Sequence, residues 1–356
     1  MLAKLNRSSK AKGFSLIEVM VALFISTAIV GGVLSVFLST KKTQRFSNGV
    51  SEIQESGRIA LNYLKQEVRM VGYQGCISYD DEQVNVIAEN LSQAMFEQQK
   101  FRGYEVKDAN WENDTPFDGL VTAKIGTDAF SVGRITDLDT NLTGPEVNNA
   151  NIQVVNGPRL DFKQDDLVLI SDCENADLFN IVNQPTGNGN ALTLTHSKGG
   201  NTANKLSKIY KNADATISSY KNTVYFIEDT GRKNPQGDSV FALYRAQGPA
   251  YTPQELVEGV EQMQVLYGES LPLGQVRYVP ADQAGPEVNW NNVNSVKISL
   301  LVTSHHGVRR SDDTSTYELL GTDIVPPGSS SGIKHSGSRR LKKVFSTTIN
   351  IRNRAP

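Results

Sequence analysis

The sequence predicts an α+β protein in which one long N-terminal helix, apolar in its first half and amphipathic in its second, packs on an antiparallel β-sheet head. Three observations predict it. Residues Phe14 to Leu38 form an apolar run with a single charge, and Ile53 to Val71 repeat apolar side chains at helical spacing. Beyond Gly72 the chain changes to short β-branched and aromatic runs between Asn-, Asp- and Gly-rich turns. With 356 residues, 38% of them hydrophobic, the chain can bury an ordinary core, which excludes disorder throughout.

The apolar run, FSLIEVMVALFISTAIVGGVLSVFL, contains no proline, and as a helix it measures about 37 Å. That exceeds the roughly 30 Å of a hydrocarbon core, so it spans with some tilt. A cleaved secretory signal has a shorter apolar region followed by a small-x-small site, and neither is met cleanly here. The segment therefore reads as retained. Four cations and no acid precede it, Lys4, Arg7, Lys10 and Lys12, while Lys41, Lys42 and Arg45 follow closely, so flanking charge orients it only weakly. Without the first thirteen residues the formal charge falls from −2 to about −6, leaving a mildly acidic remainder. Neither total implies wholesale nucleic-acid binding.

Glu18 is more telling. A carboxylate this deep in an apolar segment costs roughly 2.5 to 3.5 kcal/mol on insertion scales, and such a charge usually has a partner. A cut between Gly13 and Phe14 would create an α-amine four residues from Glu18, near one helical face, so that a neighbouring subunit's amine could neutralise it. Gly13 suits a processing site because it offers no side chain to obstruct a protease. The bland alternative is a polar residue snorkelling at the interface of an ordinary anchor.

Past the membrane segment, Ile53, Gly57, Ala60, Leu61, Leu64, Val68 and Val71 make one helical stripe. Glu52, Glu55, Arg58, Lys65, Glu67 and Arg69 supply much of the rest. Candidate strands follow at 159–170, 191–196, 223–228, 239–245, 261–267, 296–302 and 344–351. In the sixth, Val296, Ile298, Leu300 and Val302 point one way, as in a sheet with one buried face. Residues 78–154 read as poorer in strands, a loop-rich inserted lobe. The expected organisation is a leader at 1–13, a membrane and assembly helix at 14–40, its amphipathic continuation at 41–72 and a head at 73–356. PPGSSSG, Pro326 to Gly332, reads as a flexible loop before the last strand.

Cys76 and Cys173 are the only cysteines, too few for a zinc cluster of the usual spacing. Outside the cytoplasm an even count favours one disulfide, closing a loop of roughly a hundred residues worth on the order of 4 to 5 kcal/mol; two buried thiols are the alternative. No metal, cofactor or catalytic constellation is legible. His305 and His306 are adjacent and so split between strand faces, and His196 and His335 lie far off in sequence. The acidic pairs Asp80–Asp81, Asp165–Asp166 and Asp312–Asp313 read as solvated loop charge. A basic stretch, Lys334, His335, Arg339, Arg340, Lys342 and Lys343, could meet DNA phosphates, anionic lipid or an acidic partner. It reads better as a solvated strand edge guarded by lysine, since no interleaved aromatics provide a stacking platform for nucleic acid.

KGFSLIEVMVAL resembles the class III signal of type IV pilins and type II secretion pseudopilins. The resemblance implies that a prepilin peptidase cuts after Gly13 and methylates Phe14, and that Glu18 is the assembly glutamate. It also implies a single-pass inner-membrane protein with a periplasmic head, pilin-like in architecture, which later enters a pilus fibre. Family helices often carry a proline later in the membrane segment; here the only breakers are Gly31 and Gly32.

Five further stretches resemble PilW-type minor pilins: ALNYLKQEVRMVGYQGC, SDC at Ser171 to Cys173, LVEGVEQMQVLYG, SVKISLLV and FSTTINIRNR. Both cysteines fall within them, which favours their pairing. Implied partners are other minor pilins, the major pilin and the inner-membrane assembly platform. The implied role is non-enzymatic: initiating or capping pilus assembly in support of twitching motility, adhesion or DNA uptake. The terminal strands also resemble the J-type pseudopilin of type II secretion. A membrane-anchored periplasmic enzyme or sugar-binding module is the reading from another class.

Overall fold

A computed structural model describes residues 13–73, 84–89, 91, 93, 96, 100–113, 115–157, 160–212, 214–282 and 287–354. The chain divides into two units, residues 1–51 and 52–356. In the first, the described residues are almost entirely helical. Helix α1 (Leu16–Arg69) begins here and passes through Gly31 and Gly32 without a break, although each glycine costs about 1 kcal/mol relative to alanine. The hydroxyls of Thr27, Thr40 and Thr43 donate to the carbonyls of Leu23, Val36 and Ser39 at 2.8, 2.9 and 3.1 Å. These polar groups are therefore satisfied within the helix, as an apolar surrounding demands.

The second unit holds the rest of α1 and the head. Its first strands are β1 (Val84–Val86), β2 (Phe101–Glu105), β3 (Asp128–Thr143), β4 (Asn151–Val155), β5 (Leu167–Ser171), β6 (Ala176–Asn180), β7 (Thr186–Asn188) and β8 (Ala191–Thr195). Then come β9 (Thr216–Lys233), β10 (Ser239–Gln247), β11 (Thr252–Glu258), β12 (Val260–Ser270), β13 (Val276–Val279) and β14 (Val293–Gly307). The last are β15 (Tyr317–Leu319), β16 (Thr322–Val325), β17 (Ile333–Lys334) and β18 (Arg340–Asn350).

β1 to β11 form one branched sheet built on the long pair β3 and β9. Along one edge of β9, β5 pairs with its first residues and β10 with its later ones, so a single strand is shared by two groups of neighbours. A four-stranded sheet, in the order β13-β12-β14-β18, and a three-stranded one, β15-β16-β17, complete the head. All described pairings are antiparallel except β1 with β6 and β16 with β17.

In this unit α1 presents the expected stripe. Ile53, Ala60, Leu64 and Val68, with Val71 just past the helix end, are buried in one cluster with Met263, Val265 and Tyr267 of β12 and Val296, Ile298 and Leu300 of β14. Phe130 and Val132 of β3 and Tyr225 and Ile227 of β9 join them, so the helix packs where the two larger sheets meet. Gly57 lets β18 approach closely, for a Cβ there would lie 2.6 Å from the Phe345 ring. Polar ties fix the helix further: Glu52 accepts the His305 N–H at 2.9 Å and Arg134 donates to Glu67 at 3.4 Å.

Each of the seven expected strand stretches contains a strand, with adjustments. The first begins only at Leu167, because Lys163 N–H donates to the Asp166 carboxylate at 2.8 Å and Asp165 takes a left-handed φ of 70°, a turn rather than an extended run. β14 is buried on both faces rather than one: Ser299 and Leu301 are as inaccessible as Ile298 and Leu300. Leu319 and Ile324 of the three-stranded sheet cover Leu301. The stretch 78–154, read as poor in strands, contains β1, β2, β3 and most of β4 among its described residues. β3 is 16 residues long and pairs with β9 over most of its length. Its Asp- and Asn-rich second half has weak strand propensity, and the pairing with β9 overrides it. PPGSSSG forms the turn between β16 and β17.

Candidate functional site

The helix of the first unit carries the candidate assembly site. From Leu16 to Leu38 apolar side chains are exposed on every side: Phe14 is 87% accessible and Leu23 62%. The most apolar window of 18 residues in this helix has a mean hydropathy of 2.4, and none of it is buried. In water such a surface is strongly unfavourable at roughly 25 cal/mol per Å², so its surroundings must be lipid or other helices. Glu18 sits in a shallow apolar groove with Phe14, Val19, Ala22, Leu23 and Ser26.

Glu18 also has a local role that sequence reading missed. Its Oε2 accepts the Ser15 N–H at 2.9 Å. With Ser15 at the N-cap and Glu18 three residues on, this is the carboxylate half of a capping box, and it satisfies one of the amide groups a helix N-terminus leaves unpaired. The Ser-x-x-Glu spacing was the available signal. The carboxylate additionally complements the positive end of the helix dipole.

The basic stretch, which could meet an anionic partner but reads better as a solvated strand edge, is divided between exposed and buried side chains. Lys334, Arg339 and Lys343 are exposed, and Arg339 lies 3.4 Å from Asp312. Arg340 and Lys342 turn inward, because alternate residues of β18 face opposite sides and 340 and 342 share the side of Val344, under the three-stranded sheet. Arg340 is 1% accessible and donates to Ser338, Ser336 and the Ser239 carbonyl at 2.9, 3.0 and 3.1 Å. The Lys342 side chain has no accessible surface, and its ammonium lies 3.6 Å from Asp313.

Two family models match the chain. Residues 224–353 match type IV pilus-assembly protein W, and residues 8–34 match the prokaryotic N-terminal methylation motif. The second match covers Gly13, Phe14 and Glu18; the first runs from within β9 through β18. A PilW domain joined to an N-terminal methylation motif is the combination expected of a type IV pilin of the PilW type. Both matched families are structural rather than catalytic. No curated protein and no solved structure matches the chain. The matched PilW domain comprises the strands that meet α1 most closely, β12, β14 and β18, and their three-stranded cover. β1 to β8 lie outside it. The methylation motif followed by the apolar helix fits a single-pass inner-membrane pilin with a periplasmic head that later enters the pilus. The motif implies peptidase processing and use of the pilus assembly machinery.

The matched PilW residues hold most of a buried charge network that sequence reading also missed, and Lys124 joins it from outside the match. Asp313 receives the Arg309 guanidinium and the Tyr317 hydroxyl, each at 2.8 Å, and the Ser315 N–H at 3.1 Å. Burial alone would raise its carboxyl pKa, but the hydrogen bonds from Tyr317 and Ser315 hold it below the ordinary value. Glu261, fully buried, accepts the Ser336 N–H, and the Ser336 hydroxyl at 3.0 Å. Lys124 donates to the Glu261 carbonyl at 2.8 Å and stacks 4.2 Å from the Phe241 ring centre. Burial pushes the Lys124 ammonium down to about 8, with Glu261 opposing the shift, and it also lowers Lys342. The Glu261–Ser336 and Asp313–Lys342 contacts tie the 308–339 segment to the sheet.

The remaining expected residues are scattered. His196 and His335 are buried, and His335 bonds the Ser315 and Ser336 carbonyls at 2.8 Å. His305 meets Glu258 at 2.6 Å. Among the described residues no group of three or more His, Cys, Asp or Glu side chains could hold a metal. Cys173 lies in the tight turn between β5 and β6 with a φ of 71°. Cys76, with Asp80 and Asp81, lies outside the described residues.

Proposed function

We propose that this PilW-type protein is a non-enzymatic minor pilin that joins other minor pilins in a complex that starts or caps the fibre, processed after Gly13 and methylated at Phe14. The observation that carries the reading is the helix whose apolar side chains are exposed all round from Leu16 to Leu38 while one carboxylate, Glu18, stands in its first turn. Packing such helices against one another buries the apolar surface, and a neighbour's N-terminal amine neutralises Glu18. Partners at this stage are the prepilin peptidase, the major pilin and the inner-membrane platform. Twitching motility, adhesion and DNA uptake are downstream of the assembled fibre.

Glu18 substitutions test this directly, because the capping hydrogen bond and the charge can be separated. Glu18→Gln keeps an oxygen for the Ser15 amide but removes the charge. It should insert and fold normally yet fail to enter filaments, read by immunoblot of sheared pili. Normal incorporation of Glu18→Gln would overturn the reading. A deletion strain that keeps surface pili but loses exoprotein secretion would move the protein to the type II secretion system. We further infer a Cys76–Cys173 disulfide in the oxidising periplasm. Intact mass after alkylation without reduction should show neither thiol modified.

A further inference from the structure

The head contains a cleft of about 240 Å³ lying outside the PilW domain's sheet core, at the junction of β9, the turn before β5 and the β10–β11 turn. Its walls are Leu91, Pro116, Leu167, Tyr220, Pro249 and Tyr251, with Asp165, Asp166, Lys221 and Asn222 among them. The aromatic walls are held from behind. Phe96 lies 5.3 Å from the Tyr220 ring and Phe117 lies 5.6 Å from the Tyr251 ring, centre to centre. Both tyrosines are only 4% accessible, so neither can swing to suit a ligand. The acidic turn is similarly fixed, for Asp165 N–H donates to the Ile181 carbonyl at 2.8 Å and Asp166 accepts the Lys163 N–H at the same distance. A preformed site loses little entropy on binding.

We propose that this cleft binds a neutral saccharide. The lining excludes other classes in turn. An anion would face two carboxylates against one ammonium, and a purely apolar ligand would leave the half-buried Asp166 and Lys221 and the buried Asn222 without polar contact from it. A simple cation would meet Lys221. A sugar ring offers apolar C–H faces for tyrosine and proline and a rim of hydroxyls that both donate and accept, which suits carboxylate, ammonium and amide together. The volume holds one or two ring units of such a saccharide.

The test uses the full chain in a detergent without a sugar headgroup, since a glycosidic detergent would compete. Glucose, galactose, mannose and N-acetylglucosamine, each as free sugar and as trisaccharide, are titrated by calorimetry and by saturation-transfer NMR, with choline as the cationic control. At least one sugar should bind saturably, with tyrosine-facing ring protons saturated. Asp165→Asn, which tolerates the left-handed backbone there, and Lys221→Met should each weaken binding about tenfold, the loss of one charge-assisted hydrogen bond, with unchanged melting temperature. Saturable binding of choline alone, no binding by any sugar of the panel, or sugar binding unaffected by both variants would overturn the proposal. Filament assembly is untouched by either variant, so this outcome is independent of the minor-pilin reading.

Discussion

The two halves of α1 share one secondary structure and differ in everything that stabilises it. From Leu16 to Leu38 the apolar side chains point in all directions and are exposed. From Ile53 to Val71 they occupy one stripe, and that stripe is buried against the sheets of the head. An amphipathic helix finds its partner within its own chain; one that is apolar all round takes its partner from outside, as lipid first and neighbouring subunits later. Both kinds of surface belong to one helix, α1, and Gly31 and Gly32 do not interrupt its apolar half.

If this contrast is right, substitutions of equal chemistry should behave unequally in the two halves. Leu64→Ala, in the buried stripe, should destabilise the head by about 2 to 5 kcal/mol in thermal or denaturant unfolding. Gly57→Ala should cost about 1 to 3 kcal/mol, because the new methyl meets the Phe345 ring. Shortening that ring, Phe345→Leu, should recover part of the loss in the double variant. A comparable effect, on the order of 1 to 3 kcal/mol, is expected of pH through Lys124, whose folded pKa is about 8 against an ordinary 10.5. Below pH 8 the lysine is protonated in folded and unfolded chains alike. Between about 8 and 10.5 the folded chain releases a proton that the unfolded chain keeps, so stability rises with pH. Above pH 10 buried tyrosines such as Tyr225 and Tyr251, whose pKa values burial raises, act in the opposite sense. Lys124→Met should reduce the rise, with the buried Lys342, also lowered, supplying what is left, measured as unfolding midpoints from pH 7.5 to 10. Smallest of all, Ile25→Ala should leave head stability unchanged within about 0.5 kcal/mol while altering filament yield, since its side chain is exposed in the apolar half of the helix. A clear loss of head stability there would erase the distinction.

What could be read in advance followed the range of the interaction involved. The membrane half, its single carboxylate and the helical stripe depend on neighbours three or four residues apart, and so does the Ser15–Glu18 cap, which was legible but overlooked. β14 was found by its alternation, yet the burial of its second face was not, because Leu319 and Ile324 come from a separate sheet. β3 escaped because its Asp- and Asn-rich half is a strand by pairing with β9, about eighty residues on, rather than by propensity.

The basic stretch draws the same line most clearly. Period-two alternation alone separates Arg340 and Lys342 from Lys343, but not which side of β18 is covered. The sequence by itself determined a retained apolar helix with one charge near its start, an amphipathic continuation and a β-rich head, because each is set by local composition and spacing. Only the tertiary structure decided that two of the basic side chains are buried with Asp313, Ser336 and Ser338, and that a cleft opens between β9 and two distant turns. Those features arise where segments far apart in the chain meet, and no short-range pattern records which segments those will be.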